Sequence, residues 1–94
     1  MATMKNVHSS DMNEDEFEIS INQLDAKSVG NAIRWFREEA GLTRHDAARR
    51  CMKTAQKWRQ YELGLLRPRL ETLKHMAAAV GVTYEQILQR AYEL

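Results

Sequence analysis

Between Thr43 and Gly64 the chain reads TRHDAARRCMKTAQKWRQYELG, and this stretch limits the fold more than any other. It has room for two short helices and a tight turn. Thr43 is placed to cap the first, with Asp46 three residues on as in a capping box. Ala47, Ala48 and Cys51 give that helix a narrow face of small residues, which lets a second helix approach closely. Thr54 is the next N-cap, Trp58 and Tyr61 recur at i, i+3 on the helix after it, and Gly64 ends that helix. Arg44, Arg49, Arg50, Lys53, Lys57, Arg59, Arg67 and Arg69 lie in or beside this unit, against only Asp46 and Glu62. Two closely packed helices with one basic face suit a phosphate backbone as partner.

The same register extends on both sides. Ile33-x-x-Phe36-Arg37, Gly41-Leu42-Thr43-Arg44, Ala47-Ala48, Thr54, Trp58, Tyr61-Glu62 and Gly64 are followed by Pro68, Leu70, Leu73, Met76-Ala77, Val80 and Val82, with no gap in the motif. In this the chain resembles the phage repressor and Cro family of Xre-type helix-turn-helix proteins. The resemblance implies an all-α fold, a five-helix lambda-repressor-like domain. It also implies a sequence-specific duplex-DNA-binding transcriptional regulator, a repressor acting as a homodimer on a palindromic operator.

In that family the third helix enters the major groove and the residues at its N-terminal end reach base edges. Carried over position by position, the DNA-binding residues are Thr54, Ala55, Gln56, Lys57 and Gln60, with Arg44 opening the second helix. Gln56 suits adenine, Arg44 and Lys57 suit guanine or phosphate, and Ala55 suits a thymine methyl. Arg59, Arg67 and Arg69 are expected on the backbone. Arg37 and Glu62 match family positions that form a partly buried ion pair between the first and third helices, where a two-pronged guanidinium–carboxylate contact would fix the helix angle.

The chain departs from the family in three places. Met52 stands where the turn glycine is usual: either the backbone keeps a positive φ there, which strains a non-glycine residue by about 1 kcal/mol or more, or the second helix runs on and changes the turn. Ala47 replaces the usual core leucine and Trp58 the usual core isoleucine or valine, so a small and a large residue in facing positions conserve volume, and Trp58 is read as core. The loop after Gly64 carries Leu65-Leu66 where polar residues are usual, which points to one leucine on the core and an apolar dimer contact.

In chain order, the helices are expected from Asp25 or Ser28 to about Gly41, from Arg44 to Cys51, from Ala55 to Leu63, from about Pro68 to Gly81, and from Thr83, with a T-x-x-Q capping box to Gln86, to about Tyr92. Their buried residues are Val29, Ile33, Phe36 and Ala40 on the first, Leu70, Leu73, Met76, Ala77 and Val80 on the fourth, and Ile87, Leu88 and Ala91 on the fifth. Trp35 falls off the first stripe. It either packs on its neighbours, partly exposed, or receives the N-terminal arm or a second subunit.

That arm, residues 1–24, differs in kind from the helix-turn-helix domain of 25–94. Residues 1–27 hold two basic and six acidic side chains, whereas residues 28–94 hold twelve basic and seven acidic. The net charge of +1 therefore hides an acidic arm on a basic domain. Phe17, Ile19 and Ile21 alternate with Glu18 and Ser20, a strand period over 17–21. A lone strand leaves its backbone unsatisfied, so three readings stand: pairing with the same strand of another copy, lying on its own helical domain, or disorder. Phe17, Ile19, Ile21, Trp35, Leu65 and Leu66 are thus the dimerisation candidates. The alternative function is that of an antitoxin or protein-interaction module whose arm binds a second protein.

Other classes find no support. Its 94 residues are expected to make one small domain without an apolar run for a membrane or a signal peptide. The single cysteine, Cys51, fits a reducing cytoplasm and a buried, inert thiol. His8, His45 and His75 are scattered, and neither metal-ligand spacing nor a phosphate-cradling glycine loop occurs, so no enzyme, cofactor or metal is expected.

Overall fold

The computed structural model describes residues 24–93. Five helices follow one another: α1 (Ala26–Glu39), α2 (Arg44–Arg50), α3 (Ala55–Glu62), α4 (Leu70–Ala79) and α5 (Tyr84–Glu93), and among the described residues there is no strand. The expected strand over 17–21 lies outside them. The all-α, five-helix expectation holds.

The caps explain where the helices begin. Asp25 rather than Ser28 caps α1, accepting from the Lys27 N–H. Thr43 Oγ accepts from Asp46 N–H at 3.0 Å and Thr54 Oγ from Lys57 N–H at 3.1 Å. The Asp46 carboxylate turns to Arg49 at 3.7 Å, leaving the box one-sided. At α5 the box is complete: Gln86 N–H donates to Thr83 Oγ, and Gln86 Oε1 accepts from Thr83 N–H at 2.9 Å. The expected boundaries shift by a residue or two. α2 stops at Arg50 and α3 at Glu62, and α4 starts at Leu70, with Pro68 buried ahead of it.

The core is a single cluster in which Val29, Ile33, Trp58, Leu73, Met76 and Ile87 are largely or wholly withdrawn from solvent. Each such aliphatic side chain contributes about 1.5–3 kcal/mol relative to exposure. Trp58 and Ala47 are both fully buried, so the large–small exchange is accommodated as expected. Ala40 is not in the core: it is the C-cap of α1, where the helix has turned out to solvent, and Ala32 fills the stripe instead. Gly30 carries the closest helix approach. A Cβ there would stand 2.4 Å from the carbonyl oxygens of both Tyr61 and Glu62, so only glycine lets α1 lie on the end of α3.

Met52 does take a positive φ, 60°, in the turn between α2 and α3, and it is 95% exposed. The turn keeps the geometry that a glycine would favour, and the methionine bears the strain without packing in return. Leu66 packs against the core while Leu65 is 66% exposed, the division expected of that pair.

Candidate nucleic-acid interface

α3 presents one face outward and locks the other. Trp58, Tyr61 and Glu62 are buried, and Gln56, Lys57 and Arg59 are exposed with Ala55 and Gln60 half-buried beside them. Leu63, just past the helix end, is 39% exposed and lies at i+7 from Gln56, on the same outward side. The sequence reading missed it, although the i, i+3, i+7 spacing from Gln56 and Arg59 was visible.

The locked face is polar as well as apolar. The Glu62 side chain is fully buried and receives four hydrogen bonds. Arg37 Nε donates to Oε2 at 2.5 Å and Arg37 Nη2 to Oε1 at 3.2 Å, the two-pronged pair expected between α1 and α3. Trp58 Nε1 donates to Oε2 at 2.6 Å. The fourth donor is Arg44 Nε, 2.9 Å from Oε1. Arg37 Nη1 also donates to the Leu42 carbonyl oxygen at 2.7 Å, which ties the α1–α2 link to the same centre. Burial pushes the Glu62 carboxyl up, but the hydrogen bonds from Arg37, Arg44 and Trp58 and the Arg37 charge outweigh it and hold the group below its ordinary value.

The other site residues fall in three places. Thr54 serves as the cap of α3, so its hydroxyl oxygen is already an acceptor. Arg44 is tied back to Glu62 with its side chain 31% exposed, a contact the sequence reading did not assign. Arg67 donates from Nη1 to the Leu24 carbonyl oxygen, joining the loop after α3 to the chain entering α1. Arg69 is exposed at the N-cap of α4 and makes no side-chain cap bond. Near the turn, His45, Arg49, Met52, Lys53, Thr54 and Ala55 line a shallow open depression.

Trp35 stands apart from this face. Arg90 of α5 lies over its ring, guanidinium carbon 3.5 Å from the centroid, and Phe36 meets it edge-on at 5.0 Å. The ring is 37% exposed but one face is covered by its own chain, as the packed reading of Trp35 requires. Cys51 is half-buried, and burial pushes its thiol up, against a smaller downward pull from Lys53. Among the described residues no helix is long and apolar enough to cross a membrane, and no group of three or more His, Cys, Asp or Glu side chains could hold a metal ion.

Comparison with known proteins accords with this geometry. A family model described as a helix-turn-helix domain matches residues 28–89, most of the chain. The chain belongs to the helix-turn-helix family. Its resemblance to the phage repressor and Cro type is thereby borne out. Of the solved structures it is similar to the clp gene regulator ClgR from C. glutamicum, with a TM-score of 0.72 and 24% identity, over 74% of this chain and 91% of that one. That likeness shows the helix-turn-helix fold. No curated protein matches the chain.

Proposed function

We propose that the protein is a sequence-specific duplex-DNA-binding transcriptional regulator, a repressor that acts as a homodimer with α3 in the major groove. The observation that carries this is the division of α3. One face is fixed by a buried four-donor carboxylate, while the other offers Gln56, Lys57 and Arg59 to solvent with Gln60 half-buried beside them. Side chains read base edges only from a rigid platform, and α3 is held at its angle through Glu62. The similar ClgR is named as a gene regulator, which agrees with this reading.

Each residue then has a role. Gln56 reads a base edge, with Lys57 and Gln60 beside it, and Ala55 lies against a thymine methyl. Arg59 and Arg69 meet phosphates, and Arg67 adds its positive charge beside them. Residues 25–94 form the DNA-binding domain and 1–24 an acidic arm. Phe17, Ile19 and Ile21 of the arm pair between copies, with Leu65 as an apolar contact, and the dimer sets the spacing of a palindromic operator.

Selection of bound sites from a random duplex pool tests this. A consensus with two related half-sites about one helical turn apart is expected. A pool that enriches no sequence refutes the specificity, and an enriched single half-site refutes the dimer.

A further inference from the structure

From the Glu62 centre we infer that Arg44 is a phosphate seat and that Glu62 is the residue that positions it. This rests on the proposed DNA-binding function. The charges at this centre do not balance. Two guanidiniums, Arg37 and Arg44, share one carboxylate, so the group carries one net positive charge while the Glu62 side chain is fully buried. Arg37 is consumed by it: Nε and Nη2 bond Glu62, Nη1 bonds the Leu42 carbonyl, and its side chain is only 11% exposed. The surplus charge therefore resides on Arg44, which gives Glu62 its Nε alone and keeps its side chain 31% open to solvent.

Anchoring at Nε is what makes this a seat. The carboxylate restrains the root of the guanidinium and leaves the two Nη groups to meet a phosphate oxygen pair in the fork geometry that arginine favours. A long side chain ordered in advance avoids the entropy otherwise lost on binding. The ligand is a phosphate oxygen pair: a backbone phosphodiester of the duplex in function, inorganic phosphate as its small analogue.

Coulomb's law and positioning predict opposite signs for Glu62→Gln. Removing a negative charge beside a polyanion strengthens binding if charge alone matters. Releasing Arg44 weakens it, by roughly 2- to 10-fold for one long side chain that must now be ordered on binding. Affinity for the selected duplex is to be measured against salt for the intact protein and for Glu62→Gln, Arg44→Gln and Arg44→Lys. Arg44→Gln is expected to lower the log–log salt slope by about 0.9, one phosphate. Arg44→Lys should restore the slope and only part of the affinity, because an ammonium cannot hold Glu62 and present a fork together.

The Trp58 indole N–H, bonded to Glu62, gives a second readout by NMR. Its signal should move on titration with duplex in the intact protein and not in Arg44→Gln. Movement with duplex alone assigns the seat to the polymer, and movement with inorganic phosphate as well assigns it to phosphate in general; movement with neither overturns the inference. So does tighter binding by folded Glu62→Gln, or an unchanged salt slope in Arg44→Gln. If Glu62→Gln does not fold, the two Arg44 variants decide by slope and indole signal. An intact protein that binds no duplex refutes the proposed function and this inference together, whereas duplex binding with an Arg44-independent slope refutes the inference alone.

Discussion

Replacing Glu62 with Gln should be among the most destabilising conservative changes in the chain. The carboxylate is fully buried with four donors on two oxygens. An amide keeps one oxygen and turns the other into a donor. With its NH2 at the Oε2 position it faces Arg37 Nε and Trp58 Nε1; at the Oε1 position it faces Arg44 Nε and Arg37 Nη2. Either way two donors lose their acceptor, and the Arg37 charge, 11% exposed, loses its counterion. Breaking a buried pair from one side costs about 3–5 kcal/mol, against a total of about 5–15 kcal/mol for a domain. At about 4–8 °C per kcal/mol for a domain of this size, the melting temperature should fall by at least about 12 °C. Thermal and urea melts followed by tryptophan fluorescence would measure it, with Glu38→Gln as control. Its ion pair with Arg34 is half-exposed on both sides, and its loss should cost less than about 1 kcal/mol.

The pH dependence has a definite sign. The folded-state pKa of Glu62 lies below the unfolded one, so between the two values the unfolded chain binds more protons and stability falls as pH falls. The Glu62 contribution is complete above about pH 4.3, the ordinary glutamate value, and is lost as the pH drops through the lower folded-state value. The gap between parent and Gln variant should therefore stay constant near neutrality and close in acid. A variant that melts within about 1 kcal/mol of the parent at pH 7, or a gap that widens in acid, would refute the reasoning.

Four further outcomes are expected. Met52→Gly should raise stability by about 1 kcal/mol in a urea melt, because glycine removes the strain at φ 60° from a side chain that packs on nothing; an equal or lower midpoint would show the turn to be unstrained. Duplex affinity should fall steeply with salt, at a log–log slope of about −0.9 per neutralised phosphate, and salt-independent binding would exclude a phosphate-led interface. Gln56→Ala should cost about 1–3 kcal/mol on the preferred site and relax one base position, while Arg69→Ala should weaken every duplex about equally; uniform loss in both would remove α3 as the reader. Deleting residues 1–22 should shift sedimentation toward the monomer and weaken a full operator more than a half-site; an unchanged dimer would move the interface to the helices.

Much of this was written in the linear chain because it is local. A cap needs a hydroxyl and an N–H three residues apart, so Thr43, Thr54 and Thr83 announced three helix starts from sequence alone. Apolar periodicity likewise named Val29, Ile33, Leu73, Met76 and Ile87 as core, and an exchange of volume between Ala47 and Trp58 was predictable from side-chain size. Ala40 misled because its period was right but the helix ended under it. What the sequence could not order were contacts between residues far apart in the chain. A basic side chain at Arg44 or Arg67 looks the same whether it faces solvent or a neighbour. Only the packing of α1 and α2 against α3 brought Arg44 onto the carboxylate already shared by Arg37 and Trp58, and only the closing of the loop onto α1 gave Arg67 the Leu24 carbonyl. The same holds for Arg90 on Trp35 and for Gly30, whose lack of a side chain matters because two carbonyls of α3 stand where a Cβ would be. Local chemistry set the elements; long-range packing decided which charges were left to meet a ligand.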